Sequence, residues 1–249
     1  MATKRKRLTA AERRPQIMRA AVRALARSNY RTTSIAEIAA EAGITEPAVY
    51  RYFNTKKELF IAILEDVGAR VLDLWEEILR KADSPLEALT KISADYYDRA
   101  MTKRGELKVL FQALAEVDDQ DIRTALRSQF SGYVTLLERI IVQMQAAGLI
   151  RADLDARAAA WSFLSVGFTL NLVALLRLEE ELSRDRLGLI QELFVRSLLD
   201  SEQARDILAG PHLSRMMGRT SAGTESRGKA PCAGPDRKPG TNGPGPMRQ

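Results

Sequence analysis

The stretch "IAEIAAEAGITEPAVYRYF", residues 35–53, places two short amphipathic segments on either side of a single glycine. Ile35, Ile38, Ala39 and Ala42 recur at helical spacing and form one narrow apolar face. Gly43 supplies the left-handed residue that ends this helix, and Ile44 turns into the core as the chain reverses. Thr45 then caps a second helix over 46–53, with Pro47 in its first turn, where a missing N–H costs nothing. Within that helix Val49 and Phe53, four apart, face inward, so Ala48, Arg51 and Tyr52 must face outward.

A helix, a tight glycine turn and a second helix with an exposed polar and aromatic face form a helix-turn-helix. Such a second helix fits the major groove of DNA, where Arg51 can bridge the two acceptors of a guanine or clamp a phosphate. Pro47 and Ala48 offer apolar contacts to a thymine methyl. The hydroxyls of Tyr50, Tyr52, Thr33 and Ser34 suit phosphates, as does the Lys56 ammonium beside the first N–H groups of the next helix. Glu46 has two readings, acceptance from cytosine N4 or a favourable charge at the helix N-terminus. The candidate DNA contacts are therefore Thr33, Ser34, Thr45, Glu46, Pro47, Ala48, Tyr50, Arg51, Tyr52 and Lys56.

Charge is distributed to match. Residues 1–60 carry 13 Lys and Arg against 5 Asp and Glu; residues 61–209 carry 18 against 25. A basic head on an acidic body implies that the head alone meets a polyanion. The lone cysteine, Cys232, rules out an intrachain disulfide, and a reducing, cytoplasmic setting is expected. The single histidine, His212, lies with it in a Gly/Pro-rich segment, so a His/Cys zinc site is excluded and no metal or other cofactor is expected. The basic N-terminus lacks the apolar run of a secretory signal.

No segment alternates with period two, and the chain is expected to be all-α. Four capping boxes, Thr9 to Glu12, Ser34 to Glu37, Thr55 to Glu58 and Ser84 to Glu87, punctuate the first third. The spacing predicts helices over 15–28, 35–42, 46–53, 56–81, 85–101, 105–116, 119–147, 155–176 and 184–200, with Pro15 opening the first. The expected organisation is a basic flexible arm (1–10), a DNA-binding head (11–71), a helical body (72–209) and a disordered basic tail (210–249).

The sequence "TSIAEIAAEAGITEPAVYRYFNTKKELFIAIL" resembles the DNA-binding head of the TetR family of bacterial regulators. The shared features are the Ile-Ala…Ala-Gly-Ile-Thr turn, the Val-Tyr-x-Tyr-Phe end of the second helix, and Lys56 with Glu58 and Leu59. "QIMRAAVRALARSNYRTTS" resembles the family's first helix, with Asn29 in place of the usual glycine; Asn tolerates a left-handed conformation. The resemblance covers about residues 11–71 and beyond them extends to helix order alone. It implies a three-helix DNA-binding domain followed by a helical bundle for ligand binding and dimerisation. It further implies a fourth helix that connects the two and a homodimer interface from the last two helices. Ser165, Leu172, Ile190, Phe194 and Ser197 are the candidate interface residues. A symmetric dimer would also double base and phosphate contacts on a palindromic operator.

Residues 158–176 lack a charge for nineteen positions, long enough for a membrane span. Ser162, Ser165, Thr169 and Asn171 interrupt the run, and a helix buried centrally in the body, with no membrane partner, is expected. Large residues on the middle helices are core or line a pocket for a small apolar or amphipathic effector: Tyr97, Met101, Phe111, Phe130, Tyr133, Trp161 and Phe168, with Asn171 as a bundle contact or ligand anchor. No nucleophile, phosphate-loop or metal motif supports an enzyme. The function expected is a ligand-responsive homodimeric repressor; the alternative is an effector-independent DNA-binding protein whose body only dimerises.

Overall fold

A computed structural model describes residues 9–199. Residues 1–8, the tail over 210–249, and with it His212 and Cys232, lie outside the described residues. The described chain is all-α, in the order α1 (Ala10–Arg27), α2 (Ile35–Ala42), α3 (Glu46–Tyr50), α4 (Lys56–Lys81), α5 (Pro85–Thr102), α6 (Arg104–Leu114), α7 (Gln120–Ala146), α8 (Ala156–Leu176) and α9 (Arg184–Leu198).

Helix α1 begins five residues before the proline expected to open it. The Thr9 hydroxyl accepts from the Glu12 N–H and the Glu12 carboxylate accepts from the Thr9 N–H at 2.8 Å, a complete capping box. The chain is therefore already helical at Ala10, within the expected arm. Pro15 sits inside, where its missing N–H deprives only the Ala11 carbonyl, on an exposed residue that water can serve.

Helix α3 stops at Tyr50, short of residue 53. The Tyr52 N–H turns to the Val49 carbonyl at 2.9 Å, tightening the last turn so that Phe53 reaches the core, 1% exposed. Gly43 ends α2 at φ 66° and ψ 37°, as its position requires, and the Ile44 N–H returns to the Ala39 carbonyl at 3.0 Å.

Two apolar cores are joined by α4, whose 26 residues span roughly 39 Å at the helical rise. The head core gathers Ile17, Leu25, Ile38, Val49, Phe53 and Phe60, and Val109, Ala113, Ile122 and Leu126 of α6 and α7 complete it. The body core gathers around Trp75, Ile92, Leu137, Ile140 and Leu164. The head thus rests directly on α6 and α7. Helix α8 is long and apolar enough to cross a membrane by composition. In the fold, its Ala159, Ala160, Leu164, Leu170, Asn171, Val173 and Ala174 are buried in the bundle, while Trp161, Leu172 and Leu176 face outward.

Candidate nucleic-acid interface and ligand cavity

Val49 and Phe53 anchor α3 in the head core and leave its other faces outward. Glu46, Pro47, Tyr50 and Arg51 are exposed, Tyr50 by 47%, and Ala48 is half-buried. Thr45 makes no side-chain capping bond, so its exposed hydroxyl is not committed to α3. Ser34 is exposed but engaged: its hydroxyl accepts from the Glu37 N–H at 3.1 Å. Tyr52 is half-buried, its ring against the head core, and is less exposed than its spacing from Ala48 implied.

Two expected phosphate contacts are corrected. Thr33 is 2% exposed and its hydroxyl is enclosed. The Lys56 ammonium donates to the carbonyls of Tyr30, Arg31 and Thr33 at 2.8, 3.2 and 3.0 Å, and lies 4.9 Å from the centre of the Tyr30 ring. All three of its donors are directed at the turn between α1 and α2, so Lys56 is a clamp on that turn. Tyr30 in turn stacks on Phe60 of α4 at 4.2 Å. Asn29 does not take the left-handed conformation its place suggested; its side-chain oxygen accepts from the Thr32 N–H at 2.9 Å and holds the turn from within. The Lys56 bonds join residues 23 to 26 apart, beyond the reach of local spacing rules.

Basic residues of the head also engage the acidic turn between α6 and α7. Arg31 pairs with Glu116 at 2.7 Å, and Lys57 with Asp121 at 2.6 Å and Asp119 at 3.2 Å. The Arg31 hydrogen bond holds the Glu116 carboxyl below the usual range; for Asp119 the Ile122 N–H does so first, aided by Lys57. Gln112 and Lys108 of α6 add hydrogen bonds to the Leu25 and Ala26 carbonyls at 3.0 Å each. Posture of the head is therefore fixed by the α6–α7 region as well as by α4.

Two cavities adjoin in the body, with Tyr96 and Leu164 lining both. The first, of about 40 Å³, is almost wholly apolar and includes Trp75, Leu89, Phe163 and Phe194. The second, of about 70 Å³, lies among α4 to α8 and includes Phe130, Tyr133, Gln129 and Asn171. Asn171 Nδ2 donates to the Tyr96 hydroxyl at 2.8 Å, and Gln129 Nε2 to the Tyr133 hydroxyl at 2.7 Å. Burial pushes both phenols up to about 12, only partly opposed by these hydrogen bonds. Glycines make the arrangement possible. A Cβ on Gly68 would meet Gln129 Cγ at 2.9 Å, and one on Gly167 would meet the Tyr96 ring at 3.0 Å.

Of the candidate ligand contacts, Phe130, Tyr133 and Asn171 line the second cavity. Phe168 and Phe111 stand in the adjoining aromatic cluster, Phe168 stacked on Phe130 at 5.6 Å and 6.4 Å from Phe111. Tyr97 and Met101 pack instead in a satellite cluster with Ala100, Leu170 and Ala174; the neighbouring Tyr96 faces the cavities. Trp161 is 50% exposed and outside both. On α8 it shares an outward helical face with Ser165, Leu172 and Leu176; on α9, Leu189, Leu193 and Ser197 are also exposed. On α9 the exposed face is offset from expectation: Phe194 turns inward against Phe163, and Ile190 is half-buried.

The fold and its exposed second helix define a helix-turn-helix DNA-binding protein. The family model described as "Bacterial regulatory proteins, tetR family" matches residues 17–63. The HTH-type transcriptional repressor NicS of Pseudomonas putida is 30% identical over 146 residues, 57% of this chain and 67% of that one. The fatty acid metabolism regulator protein of Bacillus subtilis is 23% identical over 144 residues, 58% and 74% of the two chains. The crystal structure of FadR from Bacillus subtilis in complex with stearoyl-CoA shares the fold with TM-score 0.57 and 20% identity, covering 72% of this chain and 95% of that one. The chain belongs to the tetR family of bacterial regulatory proteins and is a DNA-binding transcription regulator, not an enzyme.

Proposed function

We propose that the protein is a cytoplasmic, homodimeric repressor that binds a palindromic operator through α3 and is released by a small apolar or amphipathic effector in the body. The observation that carries it is the pairing of an outward α3 surface with an apolar cavity beneath the helices on which the head rests. Glu46, Pro47, Ala48 and Arg51 would meet base edges, while Ser34, Thr45, Tyr50 and Tyr52 would meet phosphates.

The outward apolar face of α8 and α9 supports pairing of two copies, since Leu172, Leu176, Leu189 and Leu193 are 48 to 67% exposed. Two copies would bring two recognition helices to half-sites about 34–36 Å apart. An effector acts only through differential affinity for the two postures of the head. The names of similar proteins, a repressor and a fatty acid metabolism regulator, support the same reading. The test is operator affinity of the purified chain with and without a cavity-binding compound. Repression by release requires affinity to fall; equal affinities would leave a DNA-binding protein whose body only dimerises.

A further inference from the structure

The polar groups most deeply enclosed at the largely apolar second cavity, Asn171, Gln129 and Tyr133, are uncharged. Asn171 is 1% exposed and Gln129 is 8% exposed. Each uses its amide nitrogen on a tyrosine and leaves its amide oxygen without a partner in the protein. In the adjoining cavity the buried Trp75 Nε1–H is likewise without one. Three charged residues also line the cavity, and the side chains of Arg99 and Glu106 are only 25% and 21% exposed. Arg99 is paired with Asp95, Glu106 with Arg70, and Lys103 is exposed to water.

Resting on the proposed effector site, we infer that the cavity selects a neutral, largely apolar molecule bearing hydroxyl groups, and that Asn171 and Gln129 are its specificity-determining residues. A buried polar atom left without a partner is costly, and a ligand that completes the bond recovers that cost. A carboxamide presents an acceptor at one end and a donor at the other, and a hydroxyl, which both donates and accepts, satisfies either end. A carboxylate carries no proton to give the free amide oxygens, and the Arg99 guanidinium in the lining is already paired with Asp95. Tyr96 and Tyr133 stay protonated throughout the physiological range, which keeps the interior neutral. The geometry is held by close packing, because Gly167 seats the Tyr96 ring and Gly68 admits the Gln129 chain.

The test is calorimetric titration of the full chain with matched pairs on two skeletons: 1-decanol against decanoate, and 1-adamantanemethanol against adamantane-1-carboxylate. At neutral pH at least one alcohol should bind, and at least tenfold more tightly than its carboxylate. Asn171→Leu and Gln129→Leu should each weaken the alcohol at least fivefold and leave the carboxylate unchanged, with Asn171→Ser restoring part of the loss. Equal or tighter carboxylate binding would overturn the inference, as would failure of both alcohols to bind up to their solubility. So would an unchanged preference in leucine variants that melt like the unaltered protein. If those variants do not fold, the preference of the unaltered chain decides. Operator binding by the ligand-free protein is scored separately: a chain that prefers alcohols but binds no DNA contradicts only the proposed function, and one that binds DNA but prefers carboxylates contradicts only the inference.

Discussion

The Lys56 ammonium donates to the Thr33 carbonyl at 3.0 Å, which ties the first turn of α4 to the residue preceding the α2 N-cap. Together with the bonds to Tyr30 and Arg31, it makes one side chain responsible for the turn that presents the helix-turn-helix. Lys56→Met should destabilise the protein by about 1–2 kcal/mol, the scale of charge-assisted hydrogen bonds lost to a partly exposed group. Urea unfolding reads that loss directly. Operator affinity should fall for all sequences alike, while the salt dependence keeps its slope because no phosphate contact is removed.

Arg51 is exposed at the end of α3 and has no ion-pair partner among the described residues. Arg51→Ala should cost about 1–3 kcal/mol of binding at one operator position if the guanidinium bridges a guanine. Mobility shifts on a set of single-base operator variants check this. A uniform loss across the set, with a shallower salt slope, would assign Arg51 to a phosphate instead.

Leu193 is 67% exposed on α9. Leu193→Glu should leave helix content and melting temperature unchanged yet shift sedimentation from dimer to monomer. Binding to a two-half-site operator should weaken with it, because one head neutralises half the phosphates.

The head was the most legible part of the sequence because its cues are local. The capping hydroxyls of Ser34 and Thr55, Gly43 and the inward Val49–Phe53 spacing act within a few residues and hold in the structure, whereas Thr45 makes no side-chain capping bond. The Thr9 box and Pro15 offered competing starts for α1, and the reciprocal cap prevailed because a proline six residues in costs one solvent-facing bond. The cavity was less legible. Tyr96 and Tyr97 are adjacent and chemically identical, and only the rotation of α5 against Gly167 decides which faces inward. Trp161 is apolar on an apolar helix, and nothing in its spacing distinguishes an outward face from a buried one. Lys56 and Thr33 misled because an ammonium and a hydroxyl near a helix start suit phosphates and backbone carbonyls equally well.

The phenols of Tyr96 and Tyr133 are both raised to about 12 by burial, from an unfolded value near 10. With the folded values above the unfolded ones, the stability they confer is complete below about pH 10 and is lost as pH rises toward 12. Denaturant midpoints should therefore fall steeply across that window. Tyr96→Phe should flatten part of the decline, as followed by circular dichroism.

The central claim is that the outward surface of α3 reads duplex DNA as one half of a two-fold pair. Selection of binding sites from random duplexes by the full-length protein, repeated with Arg51→Glu, tests it most directly. A two-fold symmetric consensus with half-site centres about one helical turn apart should emerge, and the Arg51→Glu protein should recover none. Enrichment of an asymmetric site, no enrichment at low salt, or the same consensus from both proteins would contradict the account.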